Sequence, residues 1–342
     1  MGPADPPGLD LRRLADWLPA VLPEAAGRTL SARLIAGGRS NLTYEIGDGE
    51  RRWVLRRPPV GHVPAAAHDV RREHRVMSAL AGTGVPVPAT YALCTDDSVL
   101  GAPFYLMEKV DGTPFRGAAE LARLGPERVR AISEHLVDTL VALHAVDPAE
   151  VGLADFGRAD GFLHRQVRRW SDRLEATRDR ALPAADELRV LLASNVPEQS
   201  APGIVHGDYR LDNVLIDAAG RPAAVIDWEM ATLGDPLADL ALLIAYQRLS
   251  GVTGGDVVSD AASAPGHLTE DEVLSRYRAR GGRDPRHFGF HLGLAAYKLA
   301  AIADGVRHRH RHGQAAGAGA GRMGALAEPL LEIGLTAVKE DR

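Results

Sequence analysis

The spacing of apolar positions in the first third of the chain predicts one helix followed by a small sheet. Apolar residues recur at helical intervals from Leu11 to Val21, and Pro23 ends that helix. Apolar runs separated by glycine-containing turns then predict antiparallel strands, with one helix inserted after the third strand. The predicted strands cover 30–36, 41–46, 51–57, 90–94 and 103–110, and the inserted helix covers 67–81.

Helical spacing dominates the rest of the chain. The predicted helices cover 128–146, 162–177, 184–194, 236–247, 272–280, 289–306 and 323–338. The change from strands to helices predicts an α+β protein of two lobes, with limits at 1–108 and 109–342. No internal repeat is present.

Composition and charge exclude several classes of protein. The 342 residues carry a net charge of −5, whereas a nucleic-acid-binding protein normally presents a basic surface. Cys94 has no second cysteine to pair with, which suits a reducing compartment. The N-terminus lacks the pattern of a secretory signal, and the apolar runs are too short to cross a bilayer. We therefore expect a cytoplasmic protein with no nucleic-acid, membrane or protein partner.

The chemically informative segment is 203–229. It contains His206-Gly207-Asp208, then Asn213, and a predicted hairpin whose second strand ends at Asp227. Such a hairpin can hold Asn213 and Asp227 close together, and their oxygens are the ligands that Mg²⁺ prefers. Asp208 would then orient an attacking hydroxyl and accept its proton, as phosphoryl transfer requires. His206 is expected to fix the loop by bonding to the backbone.

The spacing D-x-x-x-x-N, a strand and a further Asp resembles the catalytic loop and metal-binding Asp of kinases. The segments HGDYRLDN, VIDWEMATLGDPLADLA and YKLAAIADGVRHRH resemble the aminoglycoside phosphotransferase family, most closely the kinase-like domains fused to some acyl-CoA dehydrogenases. The resemblance implies a bilobal protein-kinase-like fold with a small antiparallel N-lobe and a mainly helical C-lobe. It also implies ATP and Mg²⁺ as cofactors and a small hydroxyl-bearing molecule as substrate. Arg210 occupies the kinase position whose cation reaches the γ-phosphate.

The same resemblance assigns nucleotide-binding roles in the N-lobe. The turn containing Gly38 and Ser40 would cover the phosphates, because glycines let backbone amides approach them closely. Arg56 stands in the third strand where kinases usually have lysine, and Glu73 is its expected partner. Arg57 is the alternative to Arg56, since adjacent strand residues face opposite ways.

The hinge and the segment after Asp227 limit the range of substrates. Backbone groups of Glu108 and Val110 are expected to bond the adenine edge at the hinge. Only Trp228–Gly234 separates Asp227 from Asp235, and a kinase that binds a peptide needs a longer activation segment. A small-molecule acceptor is therefore expected. Asp235 or Asp239 is expected to cap the following helix and brace the catalytic loop.

Three hypotheses about function remain open: two classes of acceptor and a protein with no catalytic activity. The closest branch implies a hydroxyacyl-CoA-like acceptor, the wider family implies an aminoglycoside or an amino alcohol, and a non-catalytic nucleotide-binding protein is the third. Basic residues favour an anionic acceptor, although they also suit a solvated helix surface. They are Arg165, Arg168, Arg169, Arg173 and the run Arg307–Arg311, whose interleaved histidines are better explained as a basic helix end than as a metal site.

Overall fold

A computed structural model describes residues 5–35, 41–59, 69–253, 258–285, 287–313 and 320–341. It divides into two compact units. The first unit comprises Met1–Asp111 with Ala223–Ala231, and the second comprises Gly112–Pro222 with Thr232–Arg342. The segment Ala223–Ala231 carries Asp227, so this candidate ligand belongs to the first unit. The lobe limits 1–108 and 109–342 stay a proposal.

An antiparallel sheet forms the frame of the first unit in its described residues. The strands are β1 Ser31–Leu34, β2 Leu42–Gly47, β3 Arg52–Arg57, β4 Thr90–Cys94 and β5 Phe104–Glu108. They lie in the order β1-β2-β3-β5-β4, so β5 is inserted between β3 and β4. The helices of this unit are α1 Leu11–Trp17, α2 Val70–Leu80 and α3 Asp97–Leu100.

Strand β3 places neighbouring side chains in two different environments, because strand residues alternate between the faces of a sheet. Trp53 and Leu55 are buried in an apolar core that also contains Leu14 of α1. Arg56 lies on the opposite face, in register with Thr43 of β2 and with β5. The face of β3 that carries Trp53 and Leu55 is therefore separate from the face that carries Arg56.

Helix α2 begins at a polar cap and buries one side. The Asp69 side chain accepts a hydrogen bond from the Arg71 amide at 3.0 Å, which satisfies a free backbone donor at the helix start. Its buried face carries Val70, Val76 and Met77, and also Glu73. A buried glutamate needs a partner, because an unpaired charge away from water is costly.

The second unit is mainly helical in its described residues. Its helices are α4 Ala118–Ala122, α5 Pro126–Ala145, α6 Phe162–Glu175, α7 Pro183–Ser194, α8 Leu237–Thr253, α9 Glu270–Ala279, α10 Phe288–Arg311, α11 Ala320–Met323 and α12 Ala327–Glu340. Helix α10 is central, because it packs against α6, α7, α8 and α12. Its sequence is accordingly apolar around most of its circumference, with sixteen buried residues from Phe288 to Gly305.

Short strands position the catalytic segment. They are β6 Gly203–Val205, β7 Val214–Ile216, β8 Pro222–Val225 and β9 Thr232–Gly234. Strand β6 pairs antiparallel with β9, and Ile216 of β7 exchanges backbone hydrogen bonds with Thr113 at 2.9 and 3.1 Å. The predicted turn before β8 is closed by the Asp217 amide, which donates to the Arg221 carbonyl at 2.8 Å.

Some predicted helix limits were wrong, for local reasons. Helix α1 ends at Trp17 and continues as a 3-10 turn over Leu18–Ala20, where Pro19 lacks the amide hydrogen that an α-helix uses. Helix α8 runs beyond 247 to Thr253, since Leu249 is still buried. Strand β9 was not predicted, because its three residues are too short for a periodic pattern.

Candidate active site

Arg56 and Glu73 form the predicted ion pair in the first unit. Arg56 Nε lies 2.8 Å from Glu73 Oε2, and Glu73 is 1 % exposed. Glu73 also accepts hydrogen bonds from the side chains of Asn41 and Tyr105. Arg57 lies on the other face of the strand and donates to the Leu100 carbonyl at 2.9 Å. Arg56 is therefore the arginine that faces α2.

Arg56 also contacts the candidate metal ligand of the first unit. Its Nη2 lies 2.8 Å from Asp227 Oδ1, and 3.9 Å from a carboxylate oxygen of Glu229. Asp227 has φ 67° and ψ 58°, a left-handed conformation that residues other than glycine rarely adopt. Aspartate is one of the few residues besides glycine that adopt this conformation at a modest cost.

The charges around Arg56 determine the protonation states of this cluster. Burial alone would lower the pKa of Arg56, but Glu73, Tyr105 and Asp227 together raise it above its ordinary value. Arg56 therefore stays cationic at every pH at which the protein is folded. Burial raises the pKa of Glu73, and the charge of Arg56 opposes that change. The result is one buried cation held between two carboxylates.

The remaining nucleotide-binding predictions can be placed only in part. Gly38 and Ser40 lie outside the described residues. Glu108 ends β5, and its amide already donates to the Ala89 carbonyl at 2.8 Å. The Glu108 carbonyl and the Val110 amide therefore remain the candidates for contacts with an adenine edge.

The catalytic loop of the second unit is held by a buried carboxylate from α8. The His206 and Gly207 amides donate to the two oxygens of Asp239 at 2.6 and 2.8 Å. Gly207 has φ 85°, a conformation that glycine adopts without a steric penalty. His206 Nδ1 accepts from the Asp208 amide at 3.2 Å, which confirms that His206 fixes the loop.

Asp235 caps the start of α8, and Asp239 braces the catalytic loop, so each of the two predicted roles belongs to one of these residues. Asp235 Oδ1 accepts from the Leu237 amide at 3.0 Å, at the start of α8. Asp239 braces the loop and also lies 3.5 Å from His144 Nε2. His144 of α5 therefore supports the loop through Asp239.

Asp208 is oriented by two neighbouring side chains. The Tyr246 hydroxyl donates to Asp208 Oδ1 at 3.0 Å, and Asn213 Nδ2 donates to Oδ2 at 3.0 Å. Burial and then the charge of Asp208 raise the pKa of Tyr246 well above its ordinary value, so its hydroxyl remains a donor. The Asp208 carboxylate is thus fixed in position while about a quarter of its side chain stays exposed. This arrangement suits a group that must accept a proton.

Arg210 is paired with carboxylates of its own loop. Its Nε lies 3.4 Å from Asp208 Oδ2 and its Nη1 3.2 Å from Asp212 Oδ2. The guanidinium also lies over the Tyr246 ring, 4.9 Å from the centroid. A role at the γ-phosphate, which stays a prediction, would require Arg210 to exchange one of these partners for phosphate oxygens.

The residues predicted to bind Mg²⁺ retain suitable donor atoms. Asn213 uses its nitrogen for Asp208, so its amide oxygen remains available. Asp227 uses Oδ1 for Arg56, and within the described ranges its Oδ2 accepts no hydrogen bond. No described group of three or more His, Cys, Asp or Glu side chains could hold a metal ion. One carboxylate and one amide, completed by phosphate and water, is a donor set that Mg²⁺ commonly uses.

Sequence reasoning missed two residues next to the catalytic loop. Tyr246 gave no signal, because a tyrosine within an apolar helical run is usually a core residue. Lys298 of α10 donates to the Gly207 carbonyl. Burial lowers the pKa of Lys298, and the charges of Asp208 and Asp239 oppose that change. A lysine inside the run LGLAAYKLAAIA was a signal that could have been used, since a charge among core positions needs a partner.

None of the helices in the described ranges is both long enough and apolar enough to span a bilayer.

Comparison with known proteins places this geometry in a family. The model of the APH phosphotransferase enzyme family matches residues 31–286. Acyl-CoA dehydrogenase family member 11 of Gallus gallus is 35 % identical over 335 residues, which cover 96 % of this chain and 43 % of that protein. The chain thus spans less than half the length of this relative.

Solved structures share the fold. A candidate aminoglycoside phosphotransferase from Ralstonia eutropha is 32 % identical, with a TM-score of 0.84 over 97 % of this chain and 98 % of that one. Aminoglycoside phosphotransferase APH(4)-Ia, solved with AMP-PNP and hygromycin B, is 17 % identical with a TM-score of 0.63, covering 96 % and 97 % of the two chains. These similarities confirm the predicted fold class, with its antiparallel sheet and mainly helical C-terminal part. The chain belongs to the APH phosphotransferase enzyme family and is a phosphotransferase.

Proposed function

We propose that this enzyme transfers the γ-phosphate of ATP to a hydroxyl group of a small molecule. The observation that carries the proposal is the fixed carboxylate of Asp208, which Tyr246 and Asn213 hold in a partly exposed position. Such a carboxylate can hydrogen-bond an incoming hydroxyl and remove its proton. A purely structural aspartate would need neither the exposure nor two separate donors.

The first unit would bind the nucleotide. Arg56 would contact the α- and β-phosphates beneath the turn that contains Gly38 and Ser40, and the backbone at Glu108 and Val110 would bond the base. Arg56 suits this task because Glu73 and Asp227 fix its guanidinium while its pKa stays high. A fixed cation needs little reorganisation when an anion arrives.

Asn213 and Asp227 would hold Mg²⁺, which when bound supplies positive charge to the phosphate oxygens. The acceptor oxygen forms a bond to the γ-phosphorus while the bond from that phosphorus to the β–γ bridging oxygen breaks. Asp208 takes the proton of the acceptor hydroxyl, and ADP leaves with the bridging oxygen. Arg210 would neutralise charge on the transferred group. Positioning and charge neutralisation are the main contributions a protein makes to this reaction.

The proposed acceptor is a hydroxyacyl-CoA-like molecule. The support is that the relative from Gallus gallus carries the name of an acyl-CoA dehydrogenase and matches nearly all of this chain. The alternative is an aminoglycoside or an amino alcohol, since the APH(4)-Ia structure contains hygromycin B. A non-catalytic nucleotide-binding protein is the third candidate. We also propose a cytoplasmic location and no nucleic-acid, membrane or protein partner. The net charge of −5 is consistent with the absence of a nucleic-acid partner.

Turnover against an acceptor panel tests the function. Wild-type protein would be incubated with ATP and Mg²⁺ and with hydroxyacyl-CoAs, aminoglycosides and amino alcohols, and phosphate-monoester products would be identified by ³¹P NMR. We expect product from a hydroxyacyl-CoA. Asp208→Asn should lower kcat by about 10²–10⁴ while nucleotide binding survives. Asp172→Asn removes an exposed carboxylate of α6 and should leave kcat unchanged. Nucleotide binding without product from any acceptor would instead support the non-catalytic candidate.

A further inference from the structure

A group of cations surrounds one buried indole ring in the second unit. Trp170 of α6 is 2 % exposed. The guanidinium carbons of Arg169 and Arg173 lie 5.2 and 5.6 Å from its ring centroid, and Lys298 Nζ of α10 lies 5.4 Å from it. Cations at such distances from an indole gain from the ring quadrupole, which fixes their positions. The three cations are therefore ordered around a common centre.

Arg309 of α10 extends this group. Its charge acts on Arg173, and together with Arg169 it lowers the pKa of Arg173 after the larger effect of burial. Within the described ranges, the charged neighbours that act on Arg173 are thus cations. Among the described residues, no carboxylate forms an ion pair with Arg169, Arg173 or Arg309. Like charges gathered without a counter-ion are unfavourable, and an anionic ligand would relieve that repulsion.

The acidic residues of α6 do not neutralise Arg169 or Arg173 through an ion pair in the described part of the chain. Glu175 lies 2.9 Å from Arg178. Asp172 lines a separate groove of about 270 Å³ that also contains Arg168 and Arg189. Asp172 lies three positions after Arg169 on the same helix, yet among the described residues neither Asp172 nor Glu175 forms an ion pair with Arg169 or Arg173.

The cation group begins at the catalytic loop. Lys298 Nζ donates to the Gly207 carbonyl, and the charge of Asp208 acts on the same ammonium group. Lys298 and Arg309 are eleven residues apart on one continuous helix, which corresponds to about 16 Å along its axis. The cations therefore extend from the residue proposed to activate the acceptor hydroxyl towards the C-terminal end of α10.

We propose that Lys298, Arg169, Arg173 and Arg309 form the anion-binding part of the acceptor site. This inference rests on the proposed function, because it assumes that the acceptor hydroxyl lies at Asp208. The ligand class is an extended acceptor whose phosphate groups are separated from its reactive hydroxyl, as in a CoA thioester. A polycationic acceptor such as an aminoglycoside would be repelled by these residues.

Equilibrium binding of CoA tests the site without requiring turnover. CoA carries the phosphates but no hydroxyacyl group, so it can be titrated by calorimetry in the absence of ATP. We expect Arg169→Gln and Arg173→Gln each to weaken CoA binding about threefold to tenfold, the range expected when one partner of a charged contact is lost. Arg168→Gln is the matched control, because it removes the same charge from the same helix at a residue that lines the separate groove with Asp172, and its affinity should change less than twofold.

Truncated probes identify the anionic group that is bound. Dephospho-CoA should bind more weakly than CoA, and pantetheine, which has no phosphate, should bind most weakly. Added salt should reduce CoA affinity in the wild type more than in the double variant Arg169→Gln/Arg173→Gln, because fewer charge contacts remain to be screened. Equal affinity for CoA and pantetheine would overturn the proposal, as would an equal loss of affinity in Arg168→Gln.

Failure of this inference can be told apart from failure of the proposed function. CoA binding that depends on Arg169 and Arg173, without phosphorylation of any hydroxyacyl-CoA, would support the anion site and contradict the proposed reaction. Phosphorylation of an uncharged alcohol by a protein that does not bind CoA would support phosphotransfer and overturn the anion site.

Discussion

The Arg56 guanidinium lies 2.8 Å from Asp227 as well as 2.8 Å from Glu73. One side chain thus contacts both the glutamate of α2 and the candidate metal ligand. The planar fork of arginine makes this possible, because its separate nitrogens point towards separate partners, whereas a lysine has a single ammonium group. This geometry gives a physical reason for arginine at a position where kinases usually have lysine.

Replacing Arg56 should lower the free energy of unfolding far more than replacing Arg52 of the same strand. Arg56→Met leaves Glu73 buried without its cation, and we expect a loss of about 3–5 kcal/mol in the free energy of unfolding. Arg52→Met is the control, because Arg52 is exposed and its ion pair with Asp111 lies in solvent, so it should cost less than about 1 kcal/mol. Urea denaturation of both variants is the measurement. Equal losses would show that the buried pair has no special importance.

Arg56→Lys is a milder change, because it keeps the charge. Lysine cannot contact Glu73 and Asp227 in the same way, so we expect the KM for ATP to rise while the protein remains folded. Initial rates at varied ATP concentration test this. An unchanged KM would indicate that a point charge is sufficient at this position.

Asp227 offers a way to separate its charge from its backbone conformation. Asparagine tolerates the left-handed region better than alanine does, so Asp227→Ala should cost about 1 kcal/mol more in unfolding free energy than Asp227→Asn. Both variants should lose Mg²⁺-dependent nucleotide binding, because both lack the carboxylate. Nucleotide titrations with and without Mg²⁺, combined with urea denaturation, test the two effects. Wild-type Mg²⁺ dependence in Asp227→Asn would contradict the assigned ligand role.

Tyr246 should affect catalysis without affecting nucleotide binding. Tyr246→Phe removes the hydroxyl that holds Asp208 Oδ1, and a hydrogen bond to a charged group contributes about 1.5–3 kcal/mol. We expect kcat to fall by about tenfold to a hundredfold with an unchanged KM for ATP. Tyr297→Phe is the control, because Tyr297 is a buried tyrosine of α10 that makes no hydrogen bond to Asp208 within the described ranges. A rise in the KM for ATP without a change in kcat would argue against the orienting role of Tyr246.

The ionisation of Asp235 should make the free energy of unfolding depend on pH in the acid range. Burial alone would raise the pKa of Asp235, but the hydrogen bond and charge of His291, with help from Ser200, lower it to about 2. A carboxyl group with a lowered folded pKa stabilises the protein above its unfolded pKa of about 4, and this contribution disappears as the pH falls to about 2. Wild type should therefore lose about 2 kcal/mol more than Asp235→Asn between pH 5 and pH 2. Parallel pH profiles of the two proteins would contradict this expectation.

Local patterns were sufficient to predict the strands and the inserted helix, whereas the Arg56–Glu73 pair was predicted from the resemblance to kinases. The alternation in β3 and the helical spacing around Glu73 determine which side chains face each other once β3 and α2 pack together. The catalytic segment could be identified because His206, Asp208 and Asn213 lie within eight residues in a pattern that resembles the kinase catalytic loop.

Contacts between distant parts of the chain could not be predicted. Lys298 reaches Gly207 from 91 residues away, and Arg56 reaches Asp227 from 171 residues away. A repeating pattern of nearby residues cannot predict either contact, because both depend on how helices and strands pack. The left-handed conformation of Asp227 was also invisible, because nothing in the residue type requires it.

The buried carboxylate of Asp239 links the catalytic loop to the first turn of α8. Both oxygens bond loop amides, so the loop cannot take its working shape until this helix has docked. Loss of activity on heating should therefore coincide with loss of tertiary packing in the helical unit rather than precede it. In practical terms, residual activity would serve as a direct assay of how much of that unit remains folded.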